Sequence, residues 1–438
     1  MASRCRGRRA VRRVTATQPK APQRVADERL LAQRPFVLFF GARVAAMLAH
    51  QMLAVGVGWQ VYTLTGSALD LGFIGLAQFA PSFVLVLVVG QVADRFDRRR
   101  VLQGCMIAEA LAAGGLALGS AMGAITERGI FALIVVVGAA RAFQMPAMQA
   151  LLPALVPRGL LSRAIATNAS AGQAAVIAGP ALGGLLYVAG PSAVYVASMA
   201  LFLATGVFVQ LIRFRQPPPA PGKVTLDSVF AGIRFIRSRP PVLGAISLDL
   251  FAVLLGGATA LLPIYAKDIL HTGPWGLGLL RSSTAVGALA MALWLMRHPI
   301  RRRAGRTMFA AVAVFGIATI VFGVSRSFAL SAVALAMLGA ADMISVVVRQ
   351  SLVQLQTPDE MRGRVAAVNA LFIGTSNQLG EFESGVAAAL FGTVASVVLG
   401  GTGTLVVVAL WMRLFPSLAA IDRLEQAPAP RPGAAAGT

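Results

Sequence analysis

Residues Thr357 to Gly385 read TPDEMRGRVAAVNALFIGTSNQLGEFESG. Pro358 near a first turn, then Asp359 and Glu360, marks the start of a helix. Proline presets helical φ there, and acids favour the positive end of the helix dipole. Val365 to Ile373 then runs apolar, as a helix entering lipid does. Asn377, Gln378, Glu381 and Glu383 follow while the chain should still be crossing the bilayer. An acid at the centre of a spanning helix costs about 2.5–3.5 kcal/mol on insertion scales, so it faces protein or a water-filled space. Two readings stand. Glu381 and Glu383 take protons or meet cargo, or these polar groups bond helix to helix.

The stretch has a counterpart upstream. Pro157-x5-Arg163-x4-Asn168 reappears as Pro358-x5-Arg364-x4-Asn369, an offset of 201 residues. At the same offset Gly138-Ala139-Ala140 meets Gly339-Ala340-Ala341, Gln149 meets Gln350, Gly179 meets Gly380 and Gly184 meets Gly385. An ordered series of this kind marks two related halves, each beginning and ending on the same side of the membrane.

Composition points the same way. The chain has 438 residues, 57% hydrophobic and 13% charged, with a mean hydropathy of +0.74. A soluble fold of this size could not cover so much apolar side chain. The net charge of +22 would suit nucleic acid. However, the arginines sit in short loops between apolar spans, so no nucleic-acid partner is expected. Cys5 and Cys105 make no disulfide framework, and His50, His271 and His298 lie too far apart in sequence to suggest a metal site. No phosphate-cradling Gly-x4-Gly-Lys-Ser/Thr loop, HExxH or GxSxG occurs. Neither a cofactor nor an enzyme is expected.

A span needs about 20 apolar residues. Twelve candidates follow: 36–64, 70–93, 101–122, 129–152, 160–188, 192–212, 241–266, 275–297, 306–324, 328–352, 363–390 and 394–414. Arginine-rich loops alternate with loops carrying few charges, and the positive-inside rule puts both termini in the cytoplasm. The predicted organisation is a disordered basic arm over 1–35, a six-helix bundle over 36–213, a linker over 214–240, a second six-helix bundle over 241–414 and a disordered tail over 415–438. The linker opens with the stiff run Gln216 to Gly222. It ends in an amphipathic helix with Val229, Ile233 and Ile236 on one face, suited to the inner membrane surface.

Five stretches carry a family resemblance. Gly90-Gln91-Val92-Ala93-Asp94-Arg95-Phe96-Asp97-Arg98-Arg99-Arg100 resembles the signature loop G-x-x-x-D-R-x-G-R-R of the major facilitator superfamily, with Asp97 replacing the second glycine. Arg141-Ala142-Phe143-Gln144 resembles its R-x-x-Q element, and spacing i, i+3 puts both side chains on one face. Glu109 is the acid nearest by sequence to partner Arg141. Gly179-Pro180-Ala181-Leu182-Gly183-Gly184 resembles the GPxxGG core of antiporters, though Ala175 stands where that element has an upstream glycine. Asp342 to Gln350 and Ser376 to Gly385 are similar to the subgroup of enterobactin exporters and their relatives.

The resemblance implies an all-α membrane protein of twelve transmembrane helices in two pseudo-symmetric bundles, with cargo bound near the midplane. It implies a secondary active exporter in the cell (inner) membrane, acting as a monomer. Such an exporter would move a siderophore of the enterobactin type outward against protons by alternating access. Gly90, Asp94, Arg98 and Arg99 would gate. Glu381 and Glu383 would carry protons, with Arg141, Glu109, Asp249 and Asp342 as relay or partner groups. Arg43 and His50, at i and i+7 on one face, would line the cavity with Asp249 and Arg281. Gln144, Arg349, Asn369 and Asn377 complete the candidate cargo contacts. Arg43, Arg141 and Arg349 either favour an anionic or catechol-bearing cargo, or are each paired with Glu109, Asp249 or Asp342 and silent. A multidrug or macrolide pump, and a non-transporting sensor or scaffold, are the alternatives.

Overall fold

A long apolar segment can satisfy its backbone in lipid only as a helix or a closed barrel, and this chain makes helices. The computed structural model describes residues 30–85, 88, 89, 92, 96–212 and 226–423. The first half comprises α1 (Arg34–Thr65), α2 (Ala68–Val84), α3 (Arg98–Ala121), α4 (Glu127–Leu155), α5 (Leu161–Tyr187) and α6 (Pro191–Leu211). A short α7 (Leu226–Arg237) leads to the second half. That half comprises α8 (Pro240–Leu255, extended by short turns to Ile269), α9 (Pro274–Arg297), α10 (Ala304–Val324), α11 (Phe328–Gln356), α12 (Asp359–Phe391) and α13 (Thr393–Leu414). Among the described residues, ten helices are long and apolar enough to cross a membrane. The shorter apolar α2 and the 33-residue α12, whose polar groups keep it out of that set, make twelve.

Local chemistry sets the boundaries. Gly66 closes α1 with φ 64°, a left-handed conformation that glycine adopts without strain. Ser67 then accepts a bond from Asp70 N to start α2. Thr126 does the same for α4 through Gly129 N.

The two halves touch along two seams, α2 against α12 and α5 against α9. Glycines set the approach. A Cβ on Gly385 would lie 2.7 Å from Gly72 Cα, and one on Gly184 would lie 3.1 Å from Gly278 Cα. Both seams lie toward the end of the molecule opposite the start of α1 and the end of α13, here the far end. At the terminal end the cores are separate. Phe36, Phe39, Leu102 and Leu151 form one in the first half, and Leu248, Met308, Phe309 and Leu352 another in the second. At the far end one continuous core joins Leu53, Leu71 and Leu116 to Leu261, Leu277 and Phe322. Three hydrogen bonds between described residues link the halves. Ser282 Oγ donates to Ile177 O (2.6 Å), Gln173 Nε2 donates to Ala285 O (3.2 Å), and Tyr62 Oη donates to Asp268. All three lie at mid-height or beyond, so the described contacts close the far end.

The edges of the expected domains differ in detail. Residues 1–29 and 424–438 lie outside the described set, as does the run Gln216 to Gly222. Leu30, placed within the disordered arm, is buried against the first-half core. The start of the expected tail is likewise ordered. Leu418 is fully buried, and Asp422 accepts from Arg303 N (3.0 Å) and Ala304 N (3.1 Å) at the start of α10. On α7, Ile236 is buried among Val242, Val353, Val365 and Val368, and Ile233 packs against the same cluster. Gly232 permits this, since its Cβ position lies 2.9 Å from Val368.

Candidate functional site

A cavity of about 290 Å³ lies between the halves. Gln51 of α1, Gln78 of α2 and Arg141 of α4 line it from the first half. Arg281 of α9 with Asn377, Gln378 and Glu381 of α12 line it from the second. Arg141 is exposed in the middle of a spanning helix. Lipid would not tolerate that, whereas a water-lined cavity does. The Arg281 Nε is buried without a hydrogen-bond partner. Glu381 interacts electrostatically with Arg281 and Arg141. No ion pair within 4.0 Å forms among these three described groups, so they share a space without closing on one another. Gly75 makes room for the acid, because a Cβ there would lie 2.7 Å from Glu381 Oε2.

A smaller void of about 40 Å³ adjoins it, lined by His50 and sharing Gln51, Gln78 and Arg141. The His50 ring stands edge-on to Phe202, centroids 5.0 Å apart. Its Nδ1 lies 2.7 Å from Ala46 O and its Nε2 3.1 Å from Glu109 Oε1. The ring bridges the α1 backbone and the buried Glu109 carboxylate. The partner of Glu109 is thus His50, not Arg141, because α3 presents Glu109 to α1 at full burial.

Other expected groups point away from the cavity. Arg349 donates from Nη2 to Asp249 Oδ2 at 3.2 Å and from Nη1 to Asn369 Oδ1 at 3.4 Å. The three bond to one another inside the second half and do not line the central space. Asp249 and Asp342 instead share a void of about 10 Å³ with Ser345. Gln144 is buried against Met106 Sδ at 4.0 Å rather than facing the cavity with Arg141. Arg43 is half-buried in α1 outside the lining, its Nε without a partner. Glu383 stands two residues from Glu381 and so faces another side of α12; only Glu381 lines the cavity.

Of the expected gating group, Gly90 and Asp94 lie outside the described residues. Arg98 donates to Ala150 O (3.2 Å) near the end of α4, and Arg99 to Gln210 O (2.7 Å) at the end of α6. Cations there complement the helix dipoles, and Arg99 also satisfies an orphan carbonyl of the last turn of α6. Asp97, the departure from the loop pattern, accepts from Arg99 N at 2.8 Å and caps α3.

Sequence reasoning missed the far-end latch. Tyr62 of α1 donates to Asp268, and Lys267 Nζ lies 5.3 Å from the centroid of the Tyr62 ring. Lys267 and Asp268 ride on a π-helical turn, Tyr265–Ile269. Nothing in the spacing of residues so distant in the chain signals this pairing.

Known proteins give a consistent picture. A family described as transmembrane secretion effector matches residues 30–435. A protein of Citrobacter koseri named enterobactin exporter EntS is 28% identical over 405 residues, covering 91% of this chain and 95% of its own. A protein of the same name from Escherichia coli O1:K1 is 27% identical over the same shares. Among solved structures, the nucleoside transporter NupG superposes with a TM-score of 0.67 at 14% identity, covering 87% of this chain and 99% of its own. A bacterial homologue of the human lysosomal transporter Spinster, inward-facing and unoccupied, gives 0.68 at 13%, covering 88% and 95%. A bacterial homologue of the iron transporter ferroportin, also inward-facing, gives 0.67 at 16%, covering 89% and 99%.

Proposed function

The chain belongs to the transmembrane secretion effector family of the major facilitator superfamily, and from that premise we propose that it exports a siderophore of the enterobactin type by proton antiport. It is a multi-pass membrane transporter and not an enzyme. The observation that carries the cargo reading is the alignment with enterobactin exporters over 91% of this chain and 95% of theirs.

The lining suits such a cargo. Gln51, Gln78, Asn377 and Gln378 offer carboxamides, and Arg141 and Arg281 offer guanidinium forks. These donate to the carbonyl oxygens of a siderophore, while its catechol hydroxyls donate to the Glu381 carboxylate. Charge assistance strengthens the bonds made by the two guanidinium groups and by the carboxylate. A proton on Glu381 would occupy the oxygen a catechol needs. Cargo and proton therefore take the acid in turn, which is the mutual exclusion that antiport requires.

The basic loops support a cytoplasmic position for the terminal end, by the positive-inside rule. With the far end closed, cargo reaches the cavity from that side. It displaces the proton from Glu381, the seams α2–α12 and α5–α9 part, and cargo leaves outward. A proton from outside then loads Glu381 and favours closure of the far end. The cavity serves the two sides alternately.

The test is counterflow in proteoliposomes. An imposed pH gradient should drive enterobactin against its concentration gradient, read by mass spectrometry. Glu381→Gln should abolish the coupled flux while the protein stays in the membrane, and normal coupled flux in that variant removes Glu381 from the mechanism. A macrolide that competes with enterobactin while enterobactin itself is not moved would make this a drug pump instead.

A further inference from the structure

We propose that the second half holds a sodium-ion site of its own, formed by Asp249, Asp342 and Ser345 and separate from the central cavity. The first acid comes from α8. Asp342 and Ser345 stand at i and i+3 on α11, hence on one face. Together they line a void of about 10 Å³, otherwise walled by Ala252, Val253, Val312, Phe315 and Ala341. That volume is about one water-sized sphere.

Ser345 is 3% exposed, and its Oγ has no hydrogen-bond partner. A buried hydroxyl of that kind costs free energy unless something bonds to it. Asp249 gives Oδ2 to Arg349, which leaves Oδ1 for another ligand. The charges do not balance. Two carboxylates face one guanidinium, and Asn369, the α12 contact of Arg349, is neutral. The residues that α10 contributes to the wall, Val312 and Phe315, are apolar. One negative charge thus remains in an apolar surround, where it is costly.

A single monovalent cation closes the count. A divalent ion would overshoot it and meet the repulsion of Arg349. Sodium prefers oxygen ligands, as hard cations do, and carboxylate and hydroxyl oxygens are what the void offers. A proton on Asp342 would cancel the charge but would not by itself fill the void or bond Ser345 Oγ. Across the repeat, Asp342 and Ser345 stand 201 residues after Arg141 and Gln144. The first half carries its positive charge at that position on a side chain, and the second half would recruit one from solution.

Binding of radioactive sodium to the purified full chain, with choline as the background salt, tests this without transport. About one sodium per chain is expected, displaced by unlabelled sodium and not by choline. Ser345→Ala removes one oxygen and should weaken binding about tenfold. Asp342→Asn should abolish it. Glu381→Gln should leave it intact, even where it stops proton-coupled flux, so the two readings fail separately. Circular dichroism and gel filtration check each fold, and Ser345→Ala, the mild change, keeps the test alive if Asp342→Asn unfolds. No sodium-specific binding to the wild-type chain, or binding unaltered in Ser345→Ala, overturns the proposal, as does its loss in Glu381→Gln.

Discussion

Tyr62→Phe removes one oxygen, and it should loosen the far end. Tyr62 is 7% exposed on α1, and its hydroxyl donates to Asp268 of the opposite half. A hydrogen bond to a charged group contributes about 1.5–3 kcal/mol. Asp268 is exposed on its turn, so water replaces part of what is lost. About 1–1.5 kcal/mol is then the fitting magnitude, below or at the bottom of that range. Since each 1.4 kcal/mol is tenfold, the balance between far-end-closed and far-end-open states should shift about five- to tenfold toward open. Phenylalanine retains the ring and with it the Lys267 contact at 5.3 Å. The shift therefore reports the hydroxyl alone. For the assay, Cys5 and the buried Cys105 are replaced by alanine and a reporter, Thr259→Cys, is placed in the cavity wall. A membrane-impermeant maleimide is added to the far side, and the labelling rate should rise by the same five- to tenfold. In an Asp268→Asn background Tyr62→Phe should add little, because neighbours in one bond are not additive. An unchanged rate in a folded Tyr62→Phe protein, or full additivity with Asp268→Asn, would show that this bond does not hold the far end shut.

Three further outcomes are expected. Asp249→Ala strands the Arg349 guanidinium, 2% exposed, and should cost about 3–5 kcal/mol in thermal or denaturant unfolding; adding Arg349→Met should recover most of it, and no recovery would mean the loss is packing. Gly385→Val puts a side chain where a Cβ alone would stand 2.7 Å from Gly72 Cα, so it should raise far-side labelling of the Thr259→Cys reporter, while Gly363→Ala, with nothing within 4 Å of its Cβ position, should leave the rate unchanged. Export by wild type should follow the sign of the pH gradient and vanish when it is collapsed, and Glu381→Gln should lose that dependence.

Much of the fold was legible because lipid enforces it. An apolar run has one way to satisfy its backbone, and a repeat of 201 residues divides the runs evenly. The presence of ionisable groups in the cavity was legible for the same reason. Arg141, Arg281, Asn377 and Glu381 come together there, as residues too costly to show to lipid must find protein or water. Which of them face each other was not legible. Glu381 and Glu383 read as a pair on paper, but two residues along a helix turn a side chain by about 200°. Glu109 looked like the partner of Arg141 by proximity in sequence, and α1 supplied His50 instead. For Arg349 the sequence left two readings, a cargo contact or a pair with an acid such as Asp249, and Asp249 from α8 takes it. The azimuth of each helix is fixed by packing across the bundle, and a single chain read in order carries little of that.

The repeat does explain one thing that neither half shows alone. The 201-residue offset carries α5 onto α12 and places α2 near the start of α9. The seams α5–α9 and α12–α2 are therefore one contact made twice, with the halves exchanged. Gly184 serves the first and Gly385 the second, and each lets backbones meet where a Cβ would crowd the opposing helix. In the proposed cycle both seams must part together. A seam stiffer than its twin would tilt one half rather than separate the two, so matched glycines are what a symmetric opening needs. The interiors carry no such constraint, because each bundle keeps its own charges. They have diverged accordingly: at equivalent places Arg141 faces the shared cavity, and Asp342 faces a void enclosed within its own half.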